Sequence, residues 1–201
     1  MAVHEPYGTA VQQRLADQLG LWLFLASEVM LFGALFLAIG VYLLLFPEGV
    51  RAAVGRLDLA SGGVETTLLL TSSLAMALAV KAAQEDRRRE TIAELALAVL
   101  LGIGFEVLKI RSWLDEAGQG LFPGAAPPFL TDHQGAGLFF HLYFVATGLH
   151  AIHLLVGILL VSGLIGLGKL RAVTVELVGL YWQLVDIVWV LLFPLLYLVG
   201  R

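Results

Sequence analysis

Five stretches of this chain are apolar over the length needed to cross a bilayer, and that pattern leaves few folds open. They run at about residues 19–46, 64–83, 91–110, 137–167 and 176–200 of the 201. A hydrocarbon core about 30 Å thick is crossed by roughly 20 apolar residues of helix. Within lipid the backbone must satisfy its own hydrogen bonds, so only helices and closed barrels span. A barrel would alternate polar and apolar residues over strands of about ten, whereas these runs are continuous. The expectation is an all-α integral membrane protein, a bundle of five transmembrane helices forming a single transmembrane domain over residues 1–201. The first and fourth runs exceed what the bilayer requires and imply tilt or projection beyond it.

Composition supports lipid as the solvent. Apolar residues make up 59% of the chain and charged residues 14%, against about 45–50% and 25% in soluble domains. There is no cysteine, which excludes disulfides, thiolate metal sites and cysteine nucleophiles. The net charge of −4 is spread over loops, so no nucleic-acid surface is indicated. The first 18 residues include Glu5, Arg14 and Asp17, and the run behind them is about twice as long as the apolar region of a signal peptide. It reads as a helix that stays in the membrane.

The connections carry the topological signals. Residues 84–90 form a short charged turn with Arg87, Arg88 and Arg89. Residues 112–136, with Pro123, Pro127 and Pro128, predict an ordered external loop with an interfacial piece. With the N-terminus inside, Arg14, Lys81, Arg87, Arg88, Arg89, Lys169 and Arg171 are inside, and Arg51, Arg56, Lys109, Arg111 and Arg201 are outside. That bias predicts a cytoplasmic N-terminus and a periplasmic C-terminus. Trp22, Tyr42, Trp113 and Tyr197 fall near the predicted helix ends, where amphipathic rings favour the headgroup zone.

An ionisable group near the bilayer centre costs about 2.5–3.5 kcal/mol by insertion scales, so it faces protein, water or a partner. Four residues meet this description: Glu28, His150, His153 and Asp186. His150 and His153 are one helical turn apart and share a face. Gly179, Gln183 and Asp186 form a polar stripe at helical spacing, with Trp182 and Trp189 beside it. Mutual satisfaction predicts that Glu28 meets the His150/His153 face. Three readings of these groups stay open: packing inside the bundle, contact with lipid or a neighbouring subunit, and a proton path. Glu65, Glu94 and Glu176 lie near span ends and read as solvated, while Glu106 is expected to pair with Lys109 by i, i+3 spacing. Ser72, Ser73, Ala77, Gly102, Gly104, Gly148 and Gly157 allow close helix approach.

Within the spans, histidine occurs only at 141, 150 and 153 in the fourth run. A bis-histidine haem needs ligands on opposite faces of the ring, so no haem or copper is expected on this chain. Asp132 and His133 form a lone pair in the external loop. No catalytic or metal-binding set is visible.

Four segments carry a family resemblance: residues 20–33 (GLWLFLASEVMLFG), 66–73 (TTLLLTSS), 143–157 (YFVATGLHAIHLLVG) and 181–189 (YWQLVDIVW). In this order they resemble subunit III of the haem–copper oxidases, from the first span to the last. The resemblance implies a helical bundle beside the catalytic subunit of a cytochrome c or quinol oxidase. It implies no cofactor on this chain, haem and copper in the partner catalytic subunit, bound phospholipid, and support for proton uptake and durability. Glu28 matches the family's buried glutamate; His150, His153 and Asp186 match its later positions. The resemblance is to the five-helix bacterial form, which is expected to do without the two extra N-terminal helices of larger members. Gln183 stands where many members have His, and Ser112 precedes Trp113 where many have Glu.

The expected role is a non-catalytic subunit III of a proton-pumping terminal oxidase of aerobic respiration in a bacterial inner membrane. Its expected partners are catalytic subunit I, other respiratory-complex subunits and phospholipids, with no nucleic acid. Two alternatives are an accessory subunit of a nitric oxide reductase and a small proton-coupled transporter using Glu28, His150 and Asp186. Transporters often show repeats and broken helices, and the sequence shows neither.

Overall fold

A computed structural model describes residues 10–124 and 135–199, apart from the side chains of residues 10, 11, 13 and 14. Glu5, Pro127, Pro128, Asp132, His133, Arg201 and the Arg14 side chain therefore lie outside the described residues. Among the described residues six α-helices follow in order: α1 (Ala10–Leu45), α2 (Pro47–Val54), α3 (Leu59–Gln84), α4 (Arg88–Gly118), α5 (Ala136–Leu167) and α6 (Ala172–Phe193), and α6 continues into a π-helical turn, Pro194–Leu198. Among the described residues, five helices are long and apolar enough to cross a membrane: all but α2, which is eight residues long.

Local chemistry explains the boundaries. Proline disfavours helix at the residue before it and suits the first helical position, so α1 stops at Leu45 and α2 starts at Pro47. The sequence reading did not separate α2, which is too short to span and carries Glu48 and Arg51. Its buried residues Gly49, Val50, Ala53 and Val54 recur at helical spacing and seat it on the bundle. Asp58 caps α3 by accepting the Ala60 N–H at 3.0 Å. The α3–α4 turn holds Asp86 at φ 55°, and Arg87 there pairs with Glu85 at 2.6 Å and with Glu90. Gly168, at φ 64°, ends α5 in the left-handed conformation that suits glycine. Helix α4 runs on to Gly118, so Ser112–Gly118, expected in the external loop, are helical.

The buried faces follow the helical period. On α3 they include Glu65, Leu69, Ser72, Met76 and Ala79, and on α4 Leu95, Ala98, Gly102, Phe105 and Lys109. Steps of three and four residues keep each set on one side of its helix. Outward faces carry Leu70, Leu74, Leu100, Val145, Leu159 and similar residues in the open, as lipid-facing surfaces do. Helix α3 packs against α4 and α6, and α5 against the same two. Helix α1 lies at the periphery: 17% of its most apolar stretch is buried, against 44% in α5 and in the final span.

Trp182 sits at the centre of this packing and is fully buried. A Cβ at Gly102 would lie 3.1 Å from its indole, and one at Gly157 3.2 Å from it. The ring is thus clasped between bare backbone on α4 and on α5. Its N–H donates to Ser72 Oγ at 3.0 Å, and Ser72 Oγ donates to the Ala98 carbonyl at 3.2 Å. One side chain from α6 thereby ties α3, α4 and α5 together. Gly148 and Gly104 have no such close neighbour.

Candidate functional site

Two polar assemblies stand out in an otherwise apolar bundle. The first holds α1. Glu28 Oε2 lies 2.9 Å from His153 Nε2, with both side chains largely buried. The other ring nitrogen of His153 is 2.7 Å from the Leu149 carbonyl, so that nitrogen carries the hydrogen. Phe32 packs edge-on against the His153 ring at 5.3 Å, and Phe24 lies 6.0 Å from Tyr181. Tyr181 donates its hydroxyl to the His153 carbonyl at 2.8 Å. A peripheral helix is thereby pinned to α5 and α6 through one acid–imidazole contact and its aromatic surround.

Glu28 thus meets His153 and not His150. His150 is fully buried, with neither ring nitrogen bonded among the described residues. It packs between Phe105 at 5.4 Å and Trp189 at 5.1 Å. Asp186 is also buried, and Ser73 of α3 is the polar side chain that faces it. Gln183 is half-buried and lines an open apolar groove of about 560 Å³ with Trp22, Val29, Met30 and Leu180. Gly179 of the same stripe packs against Val80, which a Cβ would approach to 3.0 Å.

The second assembly is the one the sequence reading missed. Glu65 and Lys109 are both fully buried and form an ion pair of 2.7 Å between α3 and α4. Glu65 is therefore not solvated. Lys109 takes Glu65 as its partner and not Glu106, whose Oε1 has no partner among the described residues. A carboxylate across the helix interface can meet the ammonium head-on, whereas Glu106 is confined to Lys109's own helix. Burial also removes Lys109 from the loop charges that weigh on orientation. Of the other two near-end acids, Glu94 is half-buried and Glu176 exposed.

The pair extends into a hydrogen-bonded chain. Lys109 Nζ donates to Tyr197 Oη at 3.0 Å, the hydroxyls of Tyr197 and Tyr143 are 2.9 Å apart, and Tyr143 donates to Glu116 at 2.8 Å. Ser112 donates to Glu65 at 3.3 Å. The ammonium also lies 4.6 Å from the centre of the Trp189 ring, a cation–π contact. Trp189 in turn donates to Thr66 Oγ1 at 3.0 Å. The rings of Tyr197 and Tyr42, two of the aromatics near the helix ends, are buried within the bundle. Tyr197 is spent on Lys109 and Tyr143, and Tyr42 donates to the Gly135 carbonyl at the start of α5. Trp22 is exposed, as a headgroup residue would be, and Trp113 donates to Thr147 Oγ1 at 3.2 Å.

A signal for this assembly was present in the sequence. Glu65 and Lys109 occupy positions on the same three-and-four stripes as Leu69 and Phe105, the stripes that define each helix's inward face. Reading depth along the membrane without reading azimuth around the helix assigns both to water.

Chemically, the arrangement binds helices to one another through buried polar contacts. Among the described residues no group of three or more His, Asp or Glu is close enough to hold a metal ion. Comparison with known proteins agrees with this picture of a helical membrane subunit. The heme-copper oxidase subunit I+III of Aeropyrum pernix is 32% identical over 89% of this chain, which spans only 22% of that larger protein. Proteins named probable quinol oxidase subunit 3 from Staphylococcus epidermidis and Staphylococcus haemolyticus are 27% and 28% identical, over 92% of this chain and 89% of theirs. The sequence profile of the family described as cytochrome c oxidase subunit III matches residues 2–201, and the chain belongs to that family.

Proposed function

We propose that this chain is the non-catalytic subunit III of a haem–copper terminal oxidase, seated beside catalytic subunit I in a bacterial inner membrane with its N-terminus in the cytoplasm. Haem and copper belong to the partner, where oxygen is reduced and protons are pumped. This chain contributes shape, a lipid site and support for assembly, proton uptake and durability.

The observation that carries the reading is the way α1 is held. It meets the bundle along one narrow stripe, Leu25, Glu28, Phe32, Ile39 and Tyr42, and most of its surface remains open. A helix so placed has surface to offer to subunit I and to lipid. The groove between α1 and α6, lined almost wholly by apolar atoms of residues such as Trp22, Val29, Leu180 and Ile187, has the chemistry of a phospholipid acyl-chain site. Trp22, an exposed residue of its lining, suits the glycerol level of the membrane.

The test is recovery of the tagged chain in a mild detergent. Catalytic subunit I, identified by mass spectrometry, and a haem spectrum should accompany it in stoichiometric amount. Recovery of this chain alone, or with the subunits of a nitric oxide reductase, would sink the reading.

A further inference from the structure

At the end of the bundle where α4 finishes and α3 begins lies a polar cavity of about 290 Å³, lined by Ser112, Glu116 and Tyr197 together with Arg56, Asp58 and Arg111. A space of this size admits several waters, each taking about 30 Å³. Glu116 is 6% exposed. One of its oxygens receives the Tyr143 hydroxyl; the other, Oε2, is buried without a partner among the described residues.

We propose that Glu116, Tyr143 and Tyr197 relay protons between this cavity and the buried Lys109, so that the Glu65–Lys109 pair is a proton store loaded from one membrane face. The polarity of the hydrogen bonds selects this route. With Glu116 ionised, the single hydroxyl hydrogen of Tyr143 is committed to it. The bond between the two tyrosines then takes its hydrogen from Tyr197. Tyr197 in turn accepts from the Lys109 ammonium. All three bonds run the same way, from the amine to the acid. Tyr197 lines the cavity as well, but its hydrogen points at Tyr143.

The transfer is balanced. Lys109 gives one proton to the Tyr197 oxygen as Tyr197 passes its own to Tyr143 and Tyr143 passes its own to Glu116. One N–H bond breaks and one carboxyl O–H bond forms. The tyrosines remain phenols with their hydroxyls turned round. An ammonium and a carboxylate become an amine and a carboxylic acid, and water in the cavity then takes the proton from Glu116. The charged groups around the relay are Glu65 and Asp58 from α3 and its cap, Asp115 and Arg111 from α4, and Arg56 from the α2–α3 link. Inward, the next titratable groups are Glu106, one turn before Lys109 on α4 and without a hydrogen bond at its buried Oε1 among the described residues, and His150, screened by the rings of Phe105 and Trp189. The relay therefore ends inside the bundle and makes a store, not a channel.

The chain has three lysines, Lys81, Lys109 and Lys169, so the side-chain nitrogen of each can be followed separately. The experiment uses the full chain in lipid nanodiscs, labelled with nitrogen-15 at lysine Nζ, and measures hydrogen exchange of each ammonium by NMR. Tyr143→Phe cuts the relay, and Glu116→Gln keeps an acceptor for Tyr143 while removing the acid. Each should slow exchange at Lys109 by about 100-fold or more, the usual worth of a positioned proton-transfer group, and leave Lys81 and Lys169 unchanged. Ser112→Ala, which touches Glu65 but not the relay, should leave the Lys109 rate unaltered. The indole N–H signals of Trp182 and Trp189 report whether each variant is folded; should Tyr143→Phe fail that check, Glu116→Gln decides alone. Unchanged exchange at Lys109 in Glu116→Gln, or equal slowing in Ser112→Ala, would overturn the proposal.

Discussion

Residue by residue, this bundle depends on a few contacts that lipid makes unusually consequential. The Glu65–Lys109 pair is the clearest. Both groups are out of water, and their remaining bonds go to Ser112 and Tyr197. Breaking a buried pair by removing one partner costs about 3–5 kcal/mol, because a charge is stranded; replacing both with neutral groups is often harmless. Lys109→Met alone should therefore lower thermal stability in detergent sharply, and Lys109→Met with Glu65→Gln should recover most of the loss. Equal destabilisation by the single and the double variant would show that the pair holds no buried charge. Trp182 makes a second case. Gly102→Ala and Gly157→Ala each push a methyl against a rigid indole. Overpacking of this kind costs about 1–3 kcal/mol. Tryptophan fluorescence during denaturation should report both losses, with Gly148→Ala, which meets open space, as the mild comparison. The Glu28–His153 pairing was legible in the sequence because an acid and an imidazole at membrane depth need each other. The choice of His153 over His150 was not, because it depends on the azimuth of α5 against α1, and neighbours on the same helix face look alike in one dimension.

At the scale of helices, the five spans were legible because lipid demands continuous apolar runs. The short α2 was not. Its eight residues have too little apolar length to register as a span and enough charge to read as loop, and only packing reveals its inward face. The extension of α4 to Gly118 was hidden for a related reason: Ser112, Asp115 and Glu116 read as loop composition, yet Glu116 is held inside by Tyr143. Helix α1 is where element-level behaviour can be tested. Interhelical hydrogen bonds in membranes are worth about 0.6–1.7 kcal/mol. Glu28→Ala removes the polar contact in the middle of α1 and leaves the one Tyr42 makes near its end, so this helix alone should loosen. Hydrogen–deuterium exchange should rise in α1 while α3 and α4 keep their protection. In the intact complex the same variant should lower assembly or durability under turnover without changing haem content. Uniform loss of protection across all helices would mean that Glu28 supports the whole bundle instead.

Taken whole, the molecule divides into a tight four-helix body and an outlying arm. The body of α3–α6 is closed by Trp182 and by the Lys109 assembly. The arm leaves the apolar groove beside α6 open. If that groove holds an acyl chain, filling it should exclude lipid. Ala26→Trp places an indole in its lining and should reduce the phospholipid retained per chain, counted by native mass spectrometry. Full retention would place the lipid elsewhere.

The contact between Glu28 and His153 has a further consequence, for synthesis. A ribosome makes the N-terminal segment first, and His153 is added 125 residues after Glu28. At about 5–20 residues per second, the acid waits roughly 6–25 s for its imidazole. During that interval the nascent helix carries an unmatched carboxyl at membrane depth, so an insertase or a subunit already present has something to shelter. The arm is thus born first and settled late, and the order in which the complex is put together can be set by that delay.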